Sequence, residues 1–364
     1  MSGGNPPPDK TKKTHLNKHC FTYLLVMLAL LCSNCANHEV LKPEVSEATI
    51  REVPIRFNSC YVDNAATRRA NALCKHLSTM GVWGWRNGMY DDNTLSFNDQ
   101  AVAYNADSTR WEYAPLQYWR EGCRYTFCAY APHQQQTDAT VSVDPLTHMI
   151  SIKHITLHGH NLQETPTDTV KELFRDTPDT DWMISRAGQT AEGTAGMDVQ
   201  FTMQHILAKL NIRIKACETM LARPYIVSVT ADSIIVGALP SQGDFAQQLT
   251  HTPVICKPEE AAIEEWTSSL PNLLIKGSHP VNVAAEPIYI VESLVIPQHL
   301  EPQSNVTLYY TYNFTDGHSE QCRYCMPLTD AFSRFVSGYN HTLTFTICSD
   351  RITFEAGAID WKEE

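Results

Sequence analysis

The chain has 364 residues, of which 43% are hydrophobic and 19% are charged, and its formal net charge at pH 7 is −12. The hydrophobic content is sufficient for packed cores, which argues against a largely disordered protein. An acidic chain without a block of Lys and Arg also argues against a nucleic-acid partner, because nucleic acids select for clustered basic residues.

The N-terminus predicts an export leader. An apolar run from Phe21 to Leu31 follows a segment that contains four lysines. The run is shorter than the roughly 20 residues that span a bilayer, and basic, apolar and small residues in this order are typical of a secretory signal peptide. We therefore predict a signal peptide over residues 1–34; the alternative is a buried core helix.

Two cysteines close this run, at a spacing that a metal or redox site could also use. In a bacterial lipoprotein, the residue after the cleaved leader is an acylated cysteine. Cys35 is followed by polar residues, whereas Cys32 follows bulky leucines, so we predict lipid attachment at Cys35 and a tether over residues 35–50. Such an anchor would hold the protein on a membrane without spanning it. Of the 12 cysteines, an odd number would remain, so at least one is unpaired or bonds between chains.

Beyond the tether, apolar and polar residues alternate with a period of two, which predicts antiparallel strands that bury one face. The predicted strands are Val53–Tyr61, Arg124–Tyr130, Thr140–Val143, His148–Leu157, Val199–Met203, Leu210–Ala216, Tyr225–Thr230, Ile288–Ile296, Val306–Thr315 and Thr342–Ile347.

Helical patterns are few. Apolar residues fall at helical spacing between Ala70 and Met80, and Pro258 opens a sequence typical of a first helical turn. Since strands and helices do not alternate, we predict an all-β protein rather than a parallel α/β fold. The small, polar segment Ser185–Gly196 separates two strand-rich halves, so we place one β-sandwich domain at 51–197 and a second at 198–364.

Motifs for catalysis are missing. The sequence has no Gly-x-Ser-x-Gly elbow, His-Glu-x-x-His motif, phosphate loop or dinucleotide fingerprint. We therefore expect no enzyme and no cofactor. Cys322 and Cys325 have the spacing of zinc ligands, but structural zinc usually needs a second such pair. At a strand–turn edge they are more often a disulfide or two free thiols, so we expect no metal.

Two further groups of residues each have a functional and a purely structural interpretation. His158 and His160, with His154 nearby, could hold a metal, although histidines on a solvent face are the commoner case. Clustered aromatic residues could stack on sugars, although large rings more often fill a sandwich core. These aromatic residues are Trp83, Trp85, Trp111, Tyr113, Tyr118 and Trp119.

Arg68 and Arg69 follow the first predicted strand in a polar stretch. They are either part of a solvated loop or short helix, or a processing site for a trypsin-like protease, because proteolysis concentrates at exposed loop tips.

Five blocks together resemble one known family, the fimbrillins, which are the shaft and tip subunits of Bacteroidales type V pili. These blocks are "GVWGW", "NDQAVAYNADSTRWEYAPLQYWREGCRYTFCAYAP", "DVQFTMQHILAKLNIRI", "ESLVIPQ" and "GYNHTLTFTICSDRITFEAGAIDW", in the order that the family has. The resemblance implies two transthyretin-like antiparallel β-sandwich domains with few short helices. It also implies export as a lipoprotein to the cell surface and assembly into a fimbria.

The resemblance further implies a route of assembly. An arginine-specific protease removes the first strand, and family members are cut at an Arg followed by Ala, which Arg69 matches, with Arg68 as the fallback. A C-terminal strand of the next subunit then fills the exposed groove, which here points to Ile352–Trp361. The competing expectation is a monomeric surface lipoprotein that binds glycans; the adhesion target of a fimbria stays open.

Overall fold

A computed structural model describes most of the chain between residues 53 and 361. The described residues are 53–62, 78–88, 94–134, 139–144, 147, 149–158, 179–185, 189–192, 198–248, 264–277 and 280–361, without the side chains of 58–62, 189–192 and 264–277. All of them belong to one unit, Glu52–Glu364. The predicted signal peptide and tether, Cys35, Arg68, Arg69, His160 and the turn after Pro258 lie outside the described residues.

The described residues are mostly β-strands. Their bounds are β1 Phe57–Val62, β2 Thr79–Asn87, β3 Thr94–Asn105, β4 Arg110–Glu112, β5 Arg124–Ala131, β6 Thr140–Asp144, β7 Met149–Thr156, β8 Met183–Ser185, β9 Gln189–Glu192, β10 Val199–His205, β11 Ala208–Ala216, β12 Ile226–Gln248, β13 Glu264–Gly277, β14 Val281–Asn282, β15 Ile288–Val295, β16 Gln298–His299, β17 Asn305–Phe314, β18 Ser319–Pro327, β19 Arg334–Phe335, β20 Tyr339–Ile347 and β21 Ile352–Asp360. Within the described ranges, one short α-helix, α1, spans Glu218–Leu221, and one 3-10 turn spans Leu328–Asp330. The predicted all-β class with few short helices is confirmed.

The strands form three main sheets. The first has the order β1-β10-β8-β5-β2-β3-β4, with β9 also pairing with β5. The second has the order β15-β11-β20-β21, and the third has the order β18-β17-β12-β7-β6, with β13 and β14 also on β12. A small pair, β16 and β19, stands apart. Most neighbours are antiparallel, but β1 with β10 and β11 with β20 are parallel.

Strands on either side of residue 198 pair with one another. β10 lies after this residue and pairs with β1 and β8, which lie before it. β7 lies before it and pairs with the second half of β12. The division into two domains near residue 198 stays a prediction.

The central strands of the first sheet have a hydrophobic core on each face. Met80 and Val82 of β2 pack into the smaller core, whereas Trp83 and Trp85 pack into the larger one. Because both faces are buried, β2 lacks the apolar–polar alternation of a half-exposed strand, and the period of two does not reveal it. The helix predicted up to Met80 is wrong at its end, since Met80 is a buried residue of this strand.

Gly84 of β2 allows two rings to approach the backbone closely. A Cβ atom at this position would lie 2.8 Å from ring atoms of both Phe97 and Phe127. The second glycine of the "GVWGW" block therefore makes room for the aromatic side chains of the two neighbouring strands.

β12 continues far beyond the strand predicted at Tyr225–Thr230. Its pairing with β17 shifts register between Ala231 and Ser233, and Ala238 has a positive φ of 59°. These irregularities break the alternation that sequence reasoning depends on. Within the part of the chain that the structure describes, no helix has both the length and the apolar character needed to cross a bilayer.

Candidate strand-exchange site

The N-terminal segment 53–62 lies at the edge of the first sheet. β1 pairs in parallel with β10, from Phe57 opposite Val199 to Val62 opposite Met203. The residues before β1 hydrogen-bond instead to the stretch that follows β4. There the amide of Ile55 donates to the carbonyl of Gln117 at 2.8 Å. The segment thus hydrogen-bonds to a different neighbour along each of its two halves.

Two side chains of this segment are buried in the smaller core. Ile55 is 0% exposed and Phe57 is 3% exposed, whereas Arg56 between them is exposed. The Phe57 ring stacks on Phe201 with centroids 5.6 Å apart. It also meets other aromatic rings at 5.4–6.1 Å, those of Phe97, Tyr113 and Phe127. Removing the segment would open an aromatic groove, which we call the Phe57 groove, lined by Phe97, Tyr113, Phe127 and Phe201.

Tyr113 joins this groove to the backbone of the segment. Its hydroxyl donates a hydrogen bond to the carbonyl of Ile55 at 2.7 Å. Burial raises the pKa of Tyr113, and a backbone hydrogen bond from Gln117 offsets part of this effect. Tyr113 therefore stays a neutral donor across the physiological range. The sequence suggested it only as one of several clustered aromatic residues.

The C-terminal strand β21 is also at a sheet edge. Among the described strands it pairs only with β20, in an antiparallel hairpin whose register runs from Ile347 opposite Ile352 to Tyr339 opposite Asp360. Most of its side chains are exposed, and Ile359 is 65% exposed. Ile352 and Phe354 are partly buried against the larger core. A strand with one neighbour and so little buried surface costs less to detach than a central strand.

The two edge segments carry the same short pattern. Ile55-Arg56-Phe57 and Ile352-Thr353-Phe354 each present Ile and Phe on one face and a polar residue on the other. In both cases the polar residue is exposed. Because successive side chains of a strand alternate between faces, β21 could place the same two side-chain types in the Phe57 groove.

The residue that follows β21 packs against β10, the strand that pairs with β1. Trp361 is 9% exposed and stacks on the His205 ring, with centroids 3.8 Å apart and planes 11° apart. The Nδ1 atom of His205 lies 2.9 Å from a carboxylate oxygen of Asp181. The amide of Trp361 donates to the carbonyl of Gly338 at 2.8 Å. Sequence reasoning missed this contact because 156 residues separate its two rings.

Cys322 and Cys325 lie inside β18 rather than at a strand–turn edge. In the ladder with β17, Cys322 is opposite Tyr310 and Cys325 is opposite Thr307. Residues three apart in a strand point to opposite faces, so these two thiols cannot bridge each other while β18 is intact. Both are free. The choice between a disulfide and two free thiols for this pair stays a prediction.

The clustered aromatic residues are largely core residues. Trp83, Trp85, Trp111 and Trp119 are each at most 8% exposed, whereas Tyr118 is 40% exposed. A ring that stacks on a sugar needs an open face, so the four tryptophans do not offer a platform for glycans.

The predicted histidines make separate contacts. The amide of His154 donates to Asp244 at 2.8 Å, and Nδ1 of His158 lies 3.1 Å from Asp179. Both histidine side chains are exposed. Among the described residues, no group of three or more His, Cys, Asp or Glu is placed to hold a metal ion.

The fold defines an all-β protein whose first and last described strands both lie at sheet edges. The sequence profile of the Fimbrillin-like family matches residues 67–361, and the chain belongs to this family. Comparison with curated protein sequences finds no significant match.

Solved structures of several Bacteroides proteins are similar to this chain. A fimbrial protein from Bacteroides vulgatus ATCC 8482 is 16% identical, with a TM-score of 0.59, over 85% of this chain and 100% of that one. Candidate cell adhesion proteins from Bacteroides ovatus ATCC 8483 and Bacteroides uniformis ATCC 8492 are 16% and 14% identical, with TM-scores of 0.48 and 0.44. These two matches cover 86% and 85% of this chain and 99% of each of the others. The likeness to the Bacteroides vulgatus protein shows a shared fold.

Proposed function

We propose that the chain is a structural, adhesive and non-catalytic subunit of a cell-surface fimbria. Membership of the Fimbrillin-like family supports association with other fimbrial subunits at the cell surface. The observation that carries the proposal is the pair of edge segments, 53–62 and β21, with their matching Ile-x-Phe patterns.

The precursor is held on the outer membrane by a lipid on Cys35. An arginine-specific protease cuts after Arg69, or after Arg68. The cut separates the N-terminal segment, which contains β1, from the rest of the chain. Loss of this segment exposes the Phe57 groove and the unpaired backbone of β10. Such an edge recruits another strand, because every exposed amide and carbonyl gains a partner.

The incoming strand is β21 of the next subunit. Ile352 takes the position of Ile55, and Phe354 takes the position of Phe57. The donor and the groove are different surfaces of one chain, so the contact is head to tail and extends into a filament rather than closing on itself.

Mass spectrometry of fimbriae purified from cells tests the processing step. We expect a mature chain that begins at Ala70 in wild-type fimbriae. When Arg68 and Arg69 are both replaced by Ala, the chain should still begin at the acylated Cys35. The ladder of multimer bands that assembled subunits give on gels should then be absent. As a matched control, Arg110→Ala at the exposed start of β4 should be processed and assembled normally. Assembled wild-type fimbriae built from chains that start at Cys35 would contradict the proposal.

A further inference from the structure

Two cysteines lie next to each other at the turn between β20 and β21. β11 and β20 run in parallel with Ala216 opposite Ile347 at their ends, and the residue that follows each strand is a cysteine. The amide of Cys217 donates to the carbonyl of Ile347 at 2.9 Å. Neighbouring strands lie about 4.8 Å apart, within the range of Cα separations, about 4.4–6.8 Å, that disulfides use.

The thiols of Cys217 and Cys348 already interact. Each thiol shifts the pKa of the other, and the hydroxyl oxygen of Thr219 lies 3.3 Å from the sulfur of Cys217. Both residues are partly exposed and directly follow a strand, so small backbone adjustments do not break the ladder between β11 and β20. Neither belongs to a Cys-x-x-Cys motif, which is why the sequence does not reveal the pair.

We propose that Cys217 and Cys348 are a redox-active pair that forms a disulfide and thereby fastens the base of β21 to β11. The oxidant is a disulfide-bearing molecule, such as a thiol–disulfide oxidoreductase of the export compartment. The Cys217 thiolate attacks one sulfur of the oxidant, forms a mixed disulfide and releases the first thiolate. The Cys348 sulfur then attacks Sγ of Cys217, forms the internal disulfide and releases the second thiolate. Two electrons and two protons pass from the pair to the oxidant, which leaves as two thiols.

The environment of the two thiols fits this order of attack. Burial would raise the pKa of Cys217, but hydrogen bonds from Cys348, Thr219 and the backbone outweigh it, so this pKa is lowered. Burial and the neighbouring Cys217 raise the pKa of Cys348 to about 11. A thiolate is the nucleophile in thiol–disulfide exchange, so Cys217 reacts first.

The disulfide would hold Cys348, which lies just before β21, in place while the strand itself detaches. Residues 349–361 would remain free to leave as a unit, and 13 extended residues reach about 45 Å. This consequence rests on the proposed function, whereas the disulfide itself depends only on the two cysteines.

Peptide mapping of the purified, unassembled full chain tests the proposal without requiring assembly. The protein is incubated with oxidised glutathione, free thiols are blocked by alkylation, and a non-reducing digest is analysed by mass spectrometry. We expect a linked peptide pair that contains Cys217 and Cys348, and its loss in both Cys217→Ser and Cys348→Ser. Cys325→Ser is the matched control and should keep the link. The wild type should also lose thermal stability on reduction, by on the order of 5 °C, and the single variants should not.

Two results would overturn the proposal. One is quantitative alkylation of both Cys217 and Cys348 after oxidation of the folded wild type. The other is a link from either residue to Cys322 or another cysteine in place of the predicted pair. Neither result depends on whether β21 is exchanged between subunits, so this proposal can fail while the proposed function stands.

Discussion

Phe57 anchors the N-terminal segment in the smaller core. Its ring is 3% exposed and contacts four aromatic rings. We expect Phe57→Ala to destabilise the uncut protein by about 3–5 kcal/mol, because the truncation leaves a cavity in a packed core. Arg56→Ala is the matched control at an exposed position of the same segment and should change stability by about 0.5 kcal/mol or less. Denaturant unfolding of both variants measures the difference, and equal losses would contradict a buried role for Phe57.

His341 gives the protein a predictable sensitivity to acid. Burial lowers its pKa from 6.5 to about 4, with backbone hydrogen bonds offsetting part of the effect. Between these two pH values the unfolded chain binds a proton that the folded chain does not, so stability falls as the pH drops from 6.5 to 4. The contribution of this group is about 3 kcal/mol over that range.

A comparison of variants isolates this contribution from that of the carboxylates. His341→Phe removes the titrating group and keeps an aromatic ring beside Phe332 and Phe335, so it should lose less stability than the wild type between pH 6.5 and 4. His299→Gln, at an exposed position, should keep the wild-type slope. Unfolding free energies at several pH values test this, and parallel curves for the wild type and His341→Phe would refute it.

At the scale of elements, β21 is held at its end by Trp361. We expect Trp361→Ala to loosen the strand, because it removes the stacking on His205 and exposes the end of the hairpin. Amide hydrogen exchange should speed up by at least tenfold in β21 and remain unchanged in β17, a central strand of another sheet. Faster exchange throughout the protein would instead show a general loss of stability.

Strands that bury one face and turn the other towards solvent were predictable from the sequence, and strands buried on both faces were not. β20 alternates between buried and partly buried residues along most of its length, and β17 does so from Leu308 to Asn313. The predicted bounds of both strands agree with the structure within a few residues. β2 is buried on both sides by separate cores, so its tryptophans and glycines carry no period of two. The edge positions of β1 and β21 depend on long-range pairing, which local patterns do not encode.

The candidate site was predictable in part, for the same physical reason. The resemblance to fimbrillins supplied Ile352–Trp361 as the donor and the strand from Val53 as the segment to be removed. It did not supply the aromatic groove around Phe57 or the contact between Trp361 and His205, because each joins residues that are distant in the sequence. The cysteines show the limit most clearly, since Cys322 and Cys325 are close in sequence yet point apart, whereas Cys217 and Cys348 meet.

At the scale of the whole molecule, the central claim is that Phe354 leaves its own subunit and fills the Phe57 groove of a neighbour. A photo-reactive phenylalanine analogue at position 354 tests it most directly, in protein cut by an arginine-specific protease and allowed to assemble. The account predicts cross-links between subunits to Phe97, Tyr113, Phe127 or Phe201, whereas the uncut protein should cross-link only within its own chain. The same analogue at Glu355, on the opposite face of β21, is the control and should not reach the groove. Cross-links from position 354 that stay within the subunit after cutting and assembly would contradict the account.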